Sequence, residues 1–419
     1  MRRPVEGGGV SRLREDHPVT TVEDWEIYPE HFWLHGRQPE EIVVYDDRLK
    51  IWHIYGYPET VQILTNPSVF SNDTGRLDPI KIDPEICAGD FAQMDPPEHR
   101  KVRGLVDRAF SARTIVQREA HVRGLIDELL DKIGDRDRFD LVEEFTLPLP
   151  VVVISELLGV PMEDHPFIHD WMHRLLDGAG DFDPYEEPTG EELARQQGEL
   201  DAALRMLREM HDYWSGLVAE RRKQPREDLL TNLTTAEIDG HRLSDTEIFN
   251  IANRLFIAGH HSTSILLANA VLCLDTFPDQ AKRVREDRSL IPGLLEETLR
   301  FTPPIAGIMR CTNEDVEVGG KLIPKDTVLM AWTGAANRDP RKFDRPDEFL
   351  PDRAPNPHLG FGRGVHICPG RALGRLESRV AVDVLLDRFP TLRVDPENKP
   401  RFYQIADAGG LSNLPVVTS

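Results

Sequence analysis

Apolar residues recur with two periods along this chain, and the helical one dominates. Between Ile42 and Tyr55 apolar and polar residues alternate loosely around Asp46-Asp47, which predicts a β-hairpin. After Pro96-Pro97 the spacing changes. Val102, Leu105, Val106 and Ala109 recur at helical intervals, and similar stripes run from Leu125 to Ile133, Val151 to Leu158 and Leu200 to Leu217. The clearest helix opens at Ser244, where Ser244 and Glu247 match a capping box, and continues to Pro278. Its roughly thirty residues would span about 45 Å at 1.5 Å per residue, enough to cross a domain. It is apolar nearly all round from Ile251 to Leu274, so it is expected to be a buried central beam. A helix ending near Arg300 follows, then a hairpin pattern in which Val316, Val318, Leu322, Val328 and Met330 flank Gly319-Gly320. A final amphipathic helix buries Leu373, Leu376, Val380 and Val384. The fold class is mainly α with smaller β-sheets (α+β).

Prolines and glycines are spread along the chain, no segment repeats, and apolar patterning resumes soon after every break. This predicts one domain over residues 23–419, preceded by a loose arm over 1–22 that contains Gly7, Gly8 and Gly9. A chain of 419 residues, 40% of them hydrophobic, can bury a large core. Its formal charge of −22 argues against a nucleic-acid partner, because phosphate binding needs a basic face. The acidic stretch Asp181, Asp183, Glu186, Glu187, Glu191 and Glu192 reads as a solvated loop and helix start. The longest apolar-rich run, Leu147 to Val160, contains Pro148, Pro150 and Glu156 and falls short of the roughly 20 residues that cross a bilayer, so no membrane is expected. No apolar stretch follows Arg2-Arg3 as in a secretory leader. Cys87, Cys273, Cys311 and Cys368 form no CxxC pair, which disfavours zinc and a disulfide framework and makes a reducing cytoplasm the simplest location.

The segment that carries chemistry is Phe361-Gly362-Arg363-Gly364-Val365-His366-Ile367-Cys368-Pro369-Gly370, a glycine-rich loop running into the last helix. A cysteine just before a helix feels the positive end of its dipole and free backbone N–H groups, which favour the thiolate. Thiolate suits soft iron ligation. Glycines at 362, 364 and 370 would let the backbone turn tightly around the sulfur and approach a flat macrocycle. Taken alone, such a cysteine is more often a buried structural residue.

Its surroundings reverse that reading. Phe361, Gly364, Cys368 and Gly370 reproduce F-x-x-G-x-x-x-C-x-G, and at this point the chain resembles the cytochrome P450 family. Further matches follow in order: Glu297 and Arg300 as E-x-x-R, and Ala336-Asn337-Arg338-Asp339-Pro340. Asp95-Pro96-Pro97-Glu98-His99-Arg100 fits too, as do Phe343, Pro346, Phe349 and Asp352-Arg353, so the resemblance covers about Val43 to Val416. It implies a P450-like fold with the long central helix over a haem b (iron protoporphyrin IX) whose metal ligand is Cys368. It implies propionate contacts from His99, Arg103, Arg310 and His366, and further cofactor contacts from Ala258, Gly259, Phe361, Gly364 and Gly370. Glu297, Arg300 and Arg353 would form a structural network behind the haem.

The chain departs from the family in the central helix. The usual A-G-x-[Asp or Glu]-Thr-Thr reads Ala258-Gly259-His260-His261-Ser262-Thr263, so both the acid and the first alcohol of the proton relay are replaced. Histidine titrates near neutral pH and a serine hydroxyl can hydrogen-bond as threonine does, so His261, Ser262 and Thr263 are candidate catalytic residues. Packing or substrate contact is the competing role for His260 or His261. An imidazole bound to iron as an inhibitory sixth ligand is a third.

The resemblance implies a monooxygenase that inserts one atom of O2 into a small organic substrate. No G-x-G-x-x-G occurs, so electrons are expected from a separate ferredoxin and ferredoxin reductase. A basic docking patch is expected from Arg100, Lys101, Arg108, Arg363, Arg371 and Arg375. Substrate contacts are expected from Leu77 to Asp90, Phe256 to His260, Ile305 to Met309 and Ala408 to Leu411. The small residues Ala306, Gly307, Gly409 and Gly410 suggest a roomy pocket for a bulky apolar molecule. A peroxide-driven, desaturating or coupling enzyme and a non-catalytic haem sensor remain the alternatives.

Overall fold

A computed structural model describes residues 27–77, 88–177 and 191–418. The expected arm over 1–22 and most of the acidic stretch lie outside these residues. The central helix is the best-formed prediction, running over Asp245–Thr276. Ser244 Oγ accepts the Glu247 N–H at 3.2 Å, and Glu247 Oε2 accepts the Ser244 N–H at 2.8 Å, so two orphan donors satisfy each other. At the far end Pro278 opens the next helix, Pro278–Glu286, because proline is compatible with a first helical turn but not with an interior one. By length and composition the central helix could cross a membrane, yet 72% of its most apolar window is buried inside the protein. Its apolar surface is spent on neighbouring helices.

Those neighbours are Pro148–Leu158, Ile291–Phe301, Glu191–Lys223 and Arg371–Arg388. The stripe Leu373, Leu376, Val380 and Val384 is buried as its spacing predicts. One large core joins these helices with Val122, Ile126 and Leu130 of the helix Glu119–Ile133.

A five-stranded sheet flanks the helices, in the order Val43–Asp46, Ile51–Ile54, Val328–Ala331, Ile308–Thr312, Phe70–Ser71. The first two strands are the expected hairpin, with Val43 opposite Ile54. The second hairpin is shorter than its pattern. Val316–Val318 pairs with Lys321–Ile323 across Gly319 and Gly320, at φ 56° and 78°, but Val328 and Met330 leave it. They lie in the central strand of the large sheet, parallel to Ile51–Ile54 and antiparallel to Ile308–Thr312. Alternation marks a strand without naming its partner.

Behind the sheet Glu297 and Arg300 are fully buried and joined by two bonds of 2.8 Å. Glu297 also accepts from Arg353 Nε at 3.0 Å, the Leu350 N–H at 2.9 Å and Asn356 Nδ2 at 3.1 Å. Arg300 donates onward to the carbonyls of Asn337, Pro346 and Glu348.

Candidate active site

The cysteine loop is shaped by two glycines in the left-handed region, Gly362 at φ 67° and Gly364 at φ 76°. At Gly364 a Cβ would stand 2.3 Å from the Leu64 carbonyl oxygen, so no side chain fits. The turn brings the Cys368 N–H onto the Phe361 carbonyl at 2.9 Å. Gly370 has an ordinary backbone and closes the loop before the helix Arg371–Arg388. The Phe361 ring lies under the Arg375 guanidinium, 4.5 Å from its centroid. Burial pushes the Cys368 thiol up, with the Gly370 N–H and the charges of Arg103, Arg371 and Arg375 opposing it. Burial outweighs the N–H group and the arginine charges that favour the thiolate. A thiolate here requires a positive partner in direct contact with sulfur.

Beside the loop His99 and His366 pack with ring centroids 4.0 Å apart. Both nitrogens of His99 and Nε2 of His366 are buried without a hydrogen-bond partner. Burial first, then the neighbouring His99, Arg310 and Arg103, lowers His366 to about 3. Arg310 is 6% exposed, and burial lowers it to about 10. Arg103 holds the loop itself: Nη2 donates to the Ile367 carbonyl at 2.6 Å, Nη1 to Val365 at 3.5 Å and Nε to Asp107 at 2.8 Å. Buried polar atoms without partners are rare in proteins. Three such ring nitrogens beside two buried guanidinium groups fit a ligand bearing two carboxylates, as haem does.

The central helix supplies the opposite wall. Ala258 is exposed and Ser262, one turn on, is half-exposed, so this face looks into open space. Ser262 Oγ donates to the Ala258 carbonyl at 2.8 Å and Thr263 Oγ1 to Gly259 at 3.1 Å. Gly259 faces elsewhere, because its Cβ would meet Ile154 Cγ1 at 2.9 Å. Its smallness serves helix packing. His260 is fully buried and stacks on Phe256 at 5.6 Å. His261 packs edge-on against Tyr403 at 4.8 Å, with Nε2 buried and unpartnered, and burial lowers it to about 4. Tyr403 was not foreseen, and nothing local in the sequence connects it to His261.

The structure brings two of the expected substrate segments together. The Ala306 N–H donates to the Asp407 carbonyl at 2.7 Å and the Gly409 N–H to Pro304 at 3.0 Å. Asn269 of the central helix donates to the carbonyls of Thr302 at 2.9 Å and Gly409 at 3.0 Å. The small residues do not enlarge a pocket, which corrects the sequence argument. A Cβ at Gly410 would meet Ile265 at 1.9 Å, at Gly409 the Pro303 carbonyl oxygen at 2.3 Å, and at Gly307 Met330 Sδ at 2.6 Å. Ala306 is fully buried. Ile305 at 38% and Met309 at 50% exposure are the side chains this wall presents. Of the expected contacts from Leu77 to Asp90, residues 78–87 lie outside the described residues.

The cytochrome P450 family profile matches residues 25–415. The chain belongs to the cytochrome P450 family. It is 39% identical to the cyclomarin C epoxidase CymV of Salinispora arenicola, over 87% of this chain and 90% of that one. It is 37% identical to the erythromycin C-12 hydroxylase of Saccharopolyspora erythraea, over 92% and 93%. A solved structure from work on unusual P450-like monooxygenases of microbial secondary metabolism superposes with a TM-score of 0.88 at 54% identity, covering 94% of this chain and all of that one. The hydroxylase HmtN of himastatin biosynthesis superposes at 0.85 with 44% identity, covering 96% of this chain and all of that one. The expected fold is the fold found. This P450 is a monooxygenase, an oxidoreductase, as its hydroxylase and epoxidase relatives are.

Arg100, Arg108 and Arg363 of this P450 are exposed, Arg363 within the cysteine loop. Lys101 and Arg375 of the expected patch are committed to ion pairs with Asp239 and Glu296. A groove of about 310 Å³ opens next to the cysteine helix, lined by Ile115, Val116, Pro292, Leu295, Ala372 and Leu376 among others.

Proposed function

We propose that this chain, as one catalytic domain over 23–419, inserts one atom of O2 into a bulky, largely apolar product of secondary metabolism, using haem b bound through Cys368. The cluster of unpartnered His99 and His366 nitrogens beside Arg310 and the cysteine loop carries this reading. The relatives' names, from cyclomarin C to erythromycin, support the substrate class, as do Ile305 and Met309 facing open space. Haem, when bound, supplies oxygen activation, and a thiolate ligand favours O–O cleavage. The rest belongs to the chain.

Arg310, Arg103, His99 and His366 would hold the two propionates of the haem by charge-assisted hydrogen bonds. Gly364 and the Phe361 carbonyl fix the direction of the Cys368 sulfur. Ala258 would leave room for the macrocycle, and the Ser262 hydroxyl, now bonded to the Ala258 carbonyl, would be free to turn and donate to a bound reactant. His261 stays neutral at physiological pH, so it can hand on a proton at Nε2 without acting as a charged reservoir. Electrons come from a ferredoxin and ferredoxin reductase in the cytoplasm. Their docking face is the cysteine side, where Arg100, Arg108, Arg363 and Arg371 favour an acidic protein and the adjoining groove offers apolar contact.

The reduced protein mixed with carbon monoxide is expected to show the absorption band of thiolate coordination, and Cys368→Ala to abolish it. Absence of the band from the wild type, or its survival in the variant, overturns the reading. With a surrogate ferredoxin system, His261→Ala is expected to lower product formed per O2 consumed, and unchanged coupling removes His261 from the relay.

A further inference from the structure

Behind the wall that carries Ile305 and Met309, three rings lie nearly parallel. His53 is 5.8 Å from Trp332 and 6.0 Å from Tyr55, centroid to centroid, and Tyr55 is 6.4 Å from Trp332, with interplanar angles of 16°, 6° and 13°. Trp33 also packs on Trp332, at 5.6 Å. Trp332 is buried at 1% exposure, whereas Tyr55 is half-buried, so the rings lead from the interior towards the surface. Trp332 stands at the inner end. A Cβ on Gly307 would lie 3.3 Å from its ring, Thr333 Oγ1 donates to the Ile305 carbonyl at 2.7 Å, and the Gly334 N–H to Ala306 at 3.0 Å. The indole therefore backs the segment that runs on into Arg310.

The buried indoles differ in where their N–H goes. That of Trp214 makes no hydrogen bond, and that of Trp171 goes to the Met206 carbonyl at 3.2 Å. A carbonyl cannot keep a proton. Trp332 Nε1 instead donates to His53 Nδ1 at 2.9 Å. Because an indole N–H only donates, this contact fixes the imidazole tautomer: Nδ1 is bare and Nε2 carries the proton. Nε2 faces Asp46 Oδ2 at 3.6 Å, while Asp46 Oδ1 accepts the Arg48 and Leu49 N–H groups at 2.8 and 2.9 Å. Burial lowers the His53 ring and outweighs the opposing Asp46 carboxylate, so the ring is neutral and able to accept. Packing alone accounts for a buried indole. It does not call for a base at the indole nitrogen with an acid behind that base.

Granted the monooxygenase reading and haem beside Arg310, we propose that Trp332 is a one-electron relay that drains oxidising equivalents from the haem when no substrate takes them, with His53 accepting its proton. In each passage Trp332 gives one electron to the haem site, and its N–H bond breaks as the proton moves to His53 Nδ1. A neutral indolyl radical and an imidazolium beside Asp46 remain. One electron from a soluble reductant such as ascorbate, arriving across Tyr55, reduces the indolyl radical, and His53 returns the proton. Two passages, with two protons from solvent, turn the unused oxygen atom into water. Without the relay those equivalents attack the haem and the side chains around it.

Electron paramagnetic resonance tests the relay without substrate or product. The ferric holoprotein is mixed with hydrogen peroxide and frozen at once. The wild type should give a tryptophan radical signal that changes when the protein is made with ring-deuterated tryptophan, and Trp332→Phe should lose it. A signal unchanged by the substitution overturns the proposal, as does its absence from a wild type that shows the carbon monoxide band. His53→Phe is the second arm, because it keeps the indole and removes the base. Its radical yield should fall several-fold, and wild-type yield overturns the proposal. Signals are scaled to each variant's carbon monoxide band, so that a smaller share of holoprotein does not count as loss of the relay. Haem bleaching is an independent readout. Under peroxide the haem absorbance should fade several-fold faster in both variants, and ascorbate should slow the fading in the wild type alone. Equal fading in all three proteins overturns the proposal, whereas a wild type without the carbon monoxide band sinks the monooxygenase reading beneath it.

Discussion

His31 shows how a single side chain carries a pH signature. Its Nε2 donates to the Ala406 carbonyl at 2.8 Å, but burial outweighs that bond and lowers the ring to about 4. His261 is lowered to about 4 by burial alone. The unfolded chain takes up these protons near pH 6.5 and the folded chain only near pH 4, so stability falls as pH drops through that window. Melting temperatures measured between pH 7 and pH 4 should decline less steeply in His31→Gln. An unchanged slope would show that His31 does not carry the effect. At this scale the sequence was partly legible. Cys368 stood out because its signature is local. Glu377, 1% exposed and in register with Leu373, Val380 and Val384, is an acid inside a buried stripe that apolar periodicity passes over. That Arg103 also braces the carbonyls of Val365 and Ile367 could not be read, because loop carbonyls have no sequence pattern.

Elements were legible where their ends carry chemistry. The capping box at Ser244 and the proline at 278 bounded the central helix, since both act within a few residues. The strand Val328–Ala331 was assigned to the wrong hairpin, because its neighbours lie far away in sequence. Gly364 gives the prediction that belongs to this scale. Alanine there must move either the cysteine loop or the end of the helix Tyr57–Thr65, and it must also accept a positive φ. Gly364→Ala is therefore expected to bind haem weakly, read as a several-fold lower ratio of haem absorbance to protein. Full haem content would show that the loop tolerates the shift. Glycines at 307, 409 and 410 taught the opposite lesson, because composition cannot distinguish a cavity from a close backbone contact.

Across the whole molecule the Glu297 network joins the helix Ile291–Phe301 to the segment that leads to the cysteine loop. The side chains of Glu297 and Arg300 are fully buried and that of Arg353 nearly so, and removing one member strands the others. Glu297→Ala is expected to destabilise the fold by about 3–5 kcal/mol in denaturant unfolding. A loss below 1 kcal/mol would mean the cations find water instead. The net charge of −22 foretold nothing of the exposed Arg100, Arg108 and Arg363, because a sum carries no geometry.

One amide, Asn269, sits at 0% exposure and clasps the carbonyls of Thr302 and Gly409 to the central beam. Two loops distant in sequence thereby become a single stiff panel that cannot flex to suit a larger or smaller guest. On the function proposed above, discrimination among guests falls to the exposed side chains beside that panel, Ile305 and Met309. Exchanging those two side chains should retune which molecules are accepted while leaving the frame that carries them in place.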